Sequence, residues 1–229
     1  MSVRPDVLAA IQGAPDRGER GFSTKTGRFG HGRGLTPAVA NGPRLPGVRI
    51  IAGSRKGARI FAPPGRDTRP TGDRVREAAF NLIGPGRVEG ATVLDLFAGS
   101  GAMGLEALSR GAAQAVFVEV DRDACRAINR NLDKLGLTGA TVLCQDVLAA
   151  LRTDAAMGKR YDLVLVDPPY EMFSSLQNAL IPYLPKVLGP QGLLVVETAA
   201  DQEPDLPLAK RTSRRYGAAR LSLFEHEHA

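Results

Sequence analysis

From residue 91 onward the hydrophobic positions fall into two alternating patterns. Short apolar runs, "ATVLDLFA" (91–98), "AVFVEV" (115–120), "ATVLCQ" (140–145), "YDLVLVD" (161–167) and "GLLVVET" (192–198), predict strands. Between them lie "GAMGLEALSRG" (101–111), "RDACRAINRNLDKLG" (122–136), "VLAALRT" (147–153) and, after a loop, "LQNALIPYLPKVL" (176–188). Their apolar residues recur at helical spacing, and Gly111 and Gly136 mark two helix ends. Strands apolar on both faces and separated by helices imply a parallel sheet covered on both sides. "LAKRTSRRYG" (208–217) and "ARLSLFE" (219–225) differ, because a short Gly-containing turn joins them into an antiparallel hairpin. The expected fold is a doubly wound α/β domain with a seven-stranded, mostly parallel sheet and a C-terminal antiparallel hairpin.

Upstream the pattern weakens. "VRIIAG" (48–53) is a β-rich hexamer, and "SRKGARIFAPP" (54–64) after it reads as a small hairpin or strand-turn with Arg55, Lys56 and Arg59 exposed. "RPTGDRVREAAFNLI" (69–83) reads as a helix capped by Thr71 or Asp73. Residues 1–47 hold 9 glycines and 5 prolines without a sustained apolar period, a composition that predicts disorder. Three parts result: a disordered basic extension (1–47), a strand/helix segment (48–83) and the α/β core (84–229).

Charge sharpens this division. Residues 1–47 carry 7 Lys/Arg against 3 Asp/Glu, residues 48–82 carry 8 against 3, and the remainder 15 against 18. A basic front on a mildly acidic body suits a polyanionic partner, since lysine and arginine displace counterions condensed on phosphates. No apolar run approaches the roughly 20 residues of a membrane span, and no apolar leader opens the chain. The two cysteines, Cys125 and Cys144, and three histidines show no metal-ligand spacing, so no metal is expected. The cysteines read as reduced core residues of a cytoplasmic protein, and His226 and His228 as a frayed polar tail.

The chemistry concentrates at strand ends. Gly99-Ser100-Gly101-Ala102-Met103-Gly104 fits G-x-G-x-x-G, a turn that serves several nucleotide-like ligands. Glu119, 20 residues beyond Gly99, ends the second strand where a carboxylate accepts ribose hydroxyls. NAD and S-adenosylmethionine both carry that ribose, so Glu119 does not discriminate. Asp95 inside the first strand tilts the choice, because a carboxylate near the turn repels a pyrophosphate and suits the methyl donor's ammonium and sulfonium. "VDPPY" (166–170) supports the same choice. Two prolines fix the backbone and remove two N–H donors, leaving the Asp167 carboxylate and the Pro168 carbonyl as acceptors beside Tyr170. Such a set draws the hydrogens of a nucleobase amine and frees its lone pair, while Tyr170 stacks on an extruded base.

These motifs resemble the class I, S-adenosylmethionine-dependent amino-methyltransferases of DNA and RNA. "RIIAGSRKGARI", "RPTGDRVREAAFNLI", "LDLFAGSGAMGLEALSRGA", "VFVEVDRDACRAINRNL" and "YDLVLVDPPYE" stand in the order and spacing of the RsmD type of bacterial 16S rRNA guanine-N2 methyltransferases. The resemblance covers about residues 48–226 and implies S-adenosylmethionine as cofactor, with S-adenosylhomocysteine as product. It implies that Asp95, Ala98, Gly99 and Gly101 bound the methionine end, Glu119 the ribose and Asp146 the adenine. Asp167, Pro168 and Tyr170 would hold the guanine, and Arg55, Lys56, Arg59, Arg69 and Arg74 the RNA phosphates. The implied substrate is guanine 966 of 16S rRNA, presented on an assembling small subunit to a monomeric enzyme. Two rivals remain: a DNA adenine-N6 or cytosine-N4 methyltransferase, and a non-catalytic RNA-binding assembly protein. The first lacks room for a sizeable target-recognition region, and intact Asp167 and Tyr170 speak against the second. The 47 residues preceding the resemblance depart from the family pattern.

Overall fold

The structure, a computed structural model, describes residues 48–62 and 71–227. The expected extension (1–47), with Arg69 and His228, lies outside the described residues. Seven strands form one sheet: β1 (Thr92–Leu96), β2 (Gln114–Glu119), β3 (Ala140–Cys144), β4 (Tyr161–Val166), β5 (Leu188–Ala199), β6 (Ala209–Tyr216) and β7 (Ala219–Glu225). Their order is β3-β2-β1-β4-β5-β7-β6. The first five run parallel, and β7 inserts antiparallel between β5 and β6. The expected fold class holds.

Strand periodicity sorts the core into two faces. Val93, Phe117, Leu163, Leu165, Leu193 and Val195 pack on one side with α1 (Thr71–Ile83), α2 (Ala102–Ser109) and α3 (Arg122–Leu135). Leu94, Leu96, Val118, Val164, Val166 and Val196 face α4 (Val147–Ala156), α5 (Tyr170–Leu180) and α6 (Leu184–Val187) on the other. Helix ends follow local chemistry. Asp121 caps α3 by accepting from Asp123 N at 2.8 Å, and Gly136 ends it in the left-handed conformation.

Residues 48–62 form a tight antiparallel turn rather than strands, with one bridge between Arg49 and Arg59 and a 3-10 turn at Gly53–Arg55. Ile50 and Ile60 enter the core beside Val75 and Phe80 of α1. Side chains of two helices hold this turn by its backbone. Glu106 of α2, fully buried, accepts from Ile51 N (2.7 Å), Ala52 N (2.9 Å) and Arg110 Nε (2.7 Å). Asn131 of α3 accepts from Phe61 N at 2.7 Å, and its amide donates to Phe61 O (2.9 Å) and Ser100 O (3.2 Å).

Four local expectations change. Asp73 is the third residue of α1 rather than its cap, and pairs with Arg76 (2.8 Å) and Arg49 (3.3 Å). Helix α5 begins at Tyr170 instead of after a loop, because Pro169, with φ −52, presets the helix entrance. Cys144 is exposed, since β3 is a sheet edge, whereas Cys125 is buried. His226 is half-buried against Leu188 O at 3.2 Å rather than frayed.

Candidate active site

Register brings the chemical residues to one edge of the sheet. Leu96 at the end of β1 lies beside Val118 of β2 and Val166 of β4. The segments that follow, 97–101, 119–121 and 167–170, therefore open together where the strand order reverses, the usual crevice of an open α/β sheet. Glu119 lies beside Cys144 of β3, which brings Asp146 to the same edge. Val196 beside Val166 adds Glu197.

The turn after β1 is strained and tightly packed. Phe97 has φ 62, the one positive value at a non-glycine among the described residues. Such a conformation costs about 1–2 kcal/mol and clusters at functional turns. Gly101 (φ 79) starts α2 left-handed, while Ala98 is buried and donates from its N–H to Val118 O at 3.0 Å. Gly104 is needed for closeness, because a Cβ there would collide with the Phe117 ring and reach 3.0 Å from Asp95 Oδ2.

Two amides of this turn and the helix it opens are committed to carboxylates. Gly99 N donates to Glu119 Oε2 and Gly104 N to Asp95 Oδ2, both at 2.8 Å. Glu119 Oε1 also accepts from Val120 N and Asp121 N at 2.9 Å, and both acids are buried. Burial pushes the Asp95 carboxyl up to about 7; the Gly104 amide pulls it down and the Glu119 charge adds to the rise. A dinucleotide's pyrophosphate needs those amides and would meet two acids instead. The two carboxylates form an acceptor set that fits a ligand with hydroxyls and a cation. Asp146, exposed, caps α4 by accepting from Ala149 N at 3.0 Å.

Asp167 is exposed beyond β4, Pro168 is buried, and Tyr170 is half-buried at the first position of α5. The Tyr170 hydroxyl donates to Glu197 Oε1 at 3.0 Å, which fixes the ring on the same face as α1. Sequence reasoning missed Glu197, because an acid near a strand end looks merely solvated.

The expected RNA contacts separate into two groups. Lys56, Arg59 and Arg74 are exposed. Arg55 is half-buried, its guanidinium donating to Leu135 O and, at 3.2 Å, to Gly136 O at the end of α3. Among the described residues no His/Cys/Asp/Glu group could hold a metal ion, and no helix is long and apolar enough to cross a membrane.

The family described as conserved hypothetical protein 95 matches residues 48–225. The chain is 37% identical over 186 residues to YlbH of Bacillus subtilis, covering 78% of this chain and 98% of that protein. It is 36% identical over 157 residues to the ribosomal RNA small subunit methyltransferase D of Haemophilus influenzae, covering 68% and 80%. Among solved structures, Escherichia coli yhhF superposes with a TM-score of 0.69 at 34% identity, covering 79% of this chain and 98% of that one. SMU.776, solved in complex with SAH, is similar in fold alone, with a TM-score of 0.56 at 17% identity over 66% of this chain and 48% of its own.

Proposed function

The chain belongs to the RsmD-type family of small-subunit rRNA methyltransferases, and we propose that it methylates the exocyclic N2 amine of a guanine in 16S rRNA, position 966 in the standard numbering. The observation that carries the reading is the engagement of the glycine-turn amides by Glu119 and Asp95, which favours a cationic nucleoside over a dinucleotide. When bound, S-adenosylmethionine supplies an electrophilic methyl group on a sulfonium. Asp95, Ala98, Gly99 and Gly101 would hold its methionine end, Glu119 the ribose and Asp146 the adenine. Asp167 and the Pro168 carbonyl would accept hydrogen bonds from the two amine hydrogens of the target base, one of which leaves as a proton as the methyl group arrives, and Tyr170 offers a face for stacking. Glu197 favours guanine, because its carboxylate accepts the N1–H that guanine presents beside its amine and adenine lacks. Lys56, Arg59 and Arg74 contact phosphates, while Arg55 braces the turn that carries them.

The test is direct. The protein is incubated with small-subunit rRNA and S-adenosylmethionine, and nucleosides are identified by mass spectrometry after digestion. N2-methylguanosine at one site is expected; methylated adenine or cytosine would refute the reading.

Asp95 adds a pH dependence. Its carboxyl is raised from 3.8 to about 7, so its contribution to the stability of the ligand-free chain is full at acid pH and is lost as pH rises through about 7. A bound cation favours the ionised carboxylate and reverses the preference. Affinity for S-adenosylmethionine is therefore expected to rise between about pH 6 and about pH 8, with a proton released on binding at the acid end. Calorimetry in buffers of different ionisation heat reads both, and Asp95→Asn should flatten the profile. A pH-independent affinity in the unaltered protein would remove Asp95 from the cofactor site.

A further inference from the structure

Away from the crevice, β6 concentrates positive charge on the sheet edge. Lys210, Arg211, Arg214 and Arg215 are exposed there within eight residues. Glu203 accepts from Lys210 at 2.8 Å and pairs with Arg220 at 3.7 Å. Among the described residues Arg211 and Arg214 have neither a hydrogen bond nor an ion pair through their side chains. Charge on an edge strand commonly blocks unwanted strand pairing, but the amount of charge here exceeds that need. The bulge between Lys210 and Thr212, at Arg211, already interrupts the edge. Arg215 lies directly across from Arg220, whose charge is already met by Glu203 at 3.7 Å and by Ser213 Oγ at 2.9 Å, so Arg215 is not needed to balance the strand pair.

The register relates this edge to the site. Arg214 is opposite Leu221, and Leu221 is opposite Glu197, the residue that receives the Tyr170 hydroxyl. The three share one face, with Arg214 two strand spacings, about 10 Å, from the Glu197 strand. Because β7 runs antiparallel to β5, the Arg214–Tyr216 end of β6 lies level with Glu197–Ala199, at the edge where the crevice opens.

We propose that Arg211, Arg214 and Arg215 form a second RNA-docking rim, which grips backbone phosphates flanking the target nucleotide. The proposal rests on the rRNA reading above and adds a contact surface at the opposite end of the chain from the 48–83 segment.

The full chain carrying Arg214→Gln and Arg215→Gln tests it by filter binding to a 16S rRNA transcript across a salt series. Affinity should fall about tenfold, and the slope of log K against log salt should become shallower by about 1.5, as expected for two lost phosphate contacts. Affinity for S-adenosylmethionine and the melting temperature should match the unaltered protein. Arg214→Lys with Arg215→Lys should restore most of the binding, because charge rather than shape is what the rim supplies. Unchanged affinity and slope in the glutamine variant would overturn the rim alone, as would a binding loss that tracks a lower melting temperature. Salt-independent binding by the unaltered protein would overturn the rRNA reading with it.

Discussion

Asp167→Ala is expected to slow methyl transfer about a hundredfold in single turnover. The corresponding free energy is on the order of 3 kcal/mol, typical for removing one preorganised group at a reacting centre. Asp167 is exposed, directly beyond buried Val166 and before buried Pro168, so shortening it opens no cavity in the core. The backbone is held independently by Pro168, Pro169 and the first turn of α5, where Met172 N donates to Pro169 O at 2.9 Å. The loss should therefore fall on the rate. Affinity for S-adenosylmethionine should stay within a few-fold, because the residues proposed to hold it lie on β1, β2 and the segments after β1 and β3. Asp167→Asn keeps one acceptor oxygen and should lose less. Rapid-quench kinetics with saturating cofactor and rRNA, paired with calorimetry, read the two quantities separately. A near-normal alanine rate would take Asp167 out of the chemistry.

The parts of the molecule differ in how far sequence reveals them. The parallel half of the sheet was legible because each strand is a predominantly apolar run and the helices between them carry their own period. The crevice was legible for the same reason: a residue at or just past the end of a recognised strand must lie at the carboxyl edge, which located Glu119 and Asp167 together. Glu106 and Asn131 were not legible. Each occupies a polar position in an amphipathic helix, and each is buried because its partner backbone arrives from 54 to 70 residues away. Arg55 misleads in the opposite sense, since a basic residue in a glycine-rich turn looks solvated until the end of α3 is placed beneath it. The β6 edge was obscured by averaging. The body after residue 82 is acidic in sum, yet five Lys/Arg stand between Lys210 and Arg220.

Glu106→Ala is expected to be the most destabilising single change in the helical layer. Its carboxylate is fully buried and serves four groups: Ile51 N, Ala52 N, Arg110 Nε, and Arg76 Nε at 3.8 Å. Removing it strands two backbone donors and leaves Arg76, itself 5% exposed, dependent on Asp73 and Arg49 O. Breaking a buried ion pair in this way costs about 3–5 kcal/mol, which in a domain of this size lowers the melting temperature by roughly 10 °C. Glu106→Gln keeps an acceptor for the backbone amides and should lose about half as much. The loss should also be local in origin. Residues 48–62 hang on Glu106 at one end and on Asn131 at the other, and Asn131 in turn touches Ser100 in the glycine turn. Hydrogen exchange should therefore quicken first at Ile51 and Ala52, and the loosened turn should weaken S-adenosylmethionine binding although Glu106 is not among the residues proposed to hold it. A melting temperature within about a degree of the unaltered protein would mean that the packing of Ile50 and Ile60 and the Asn131 and Arg55 contacts suffice to hold the segment, and that the buried carboxylate is dispensable.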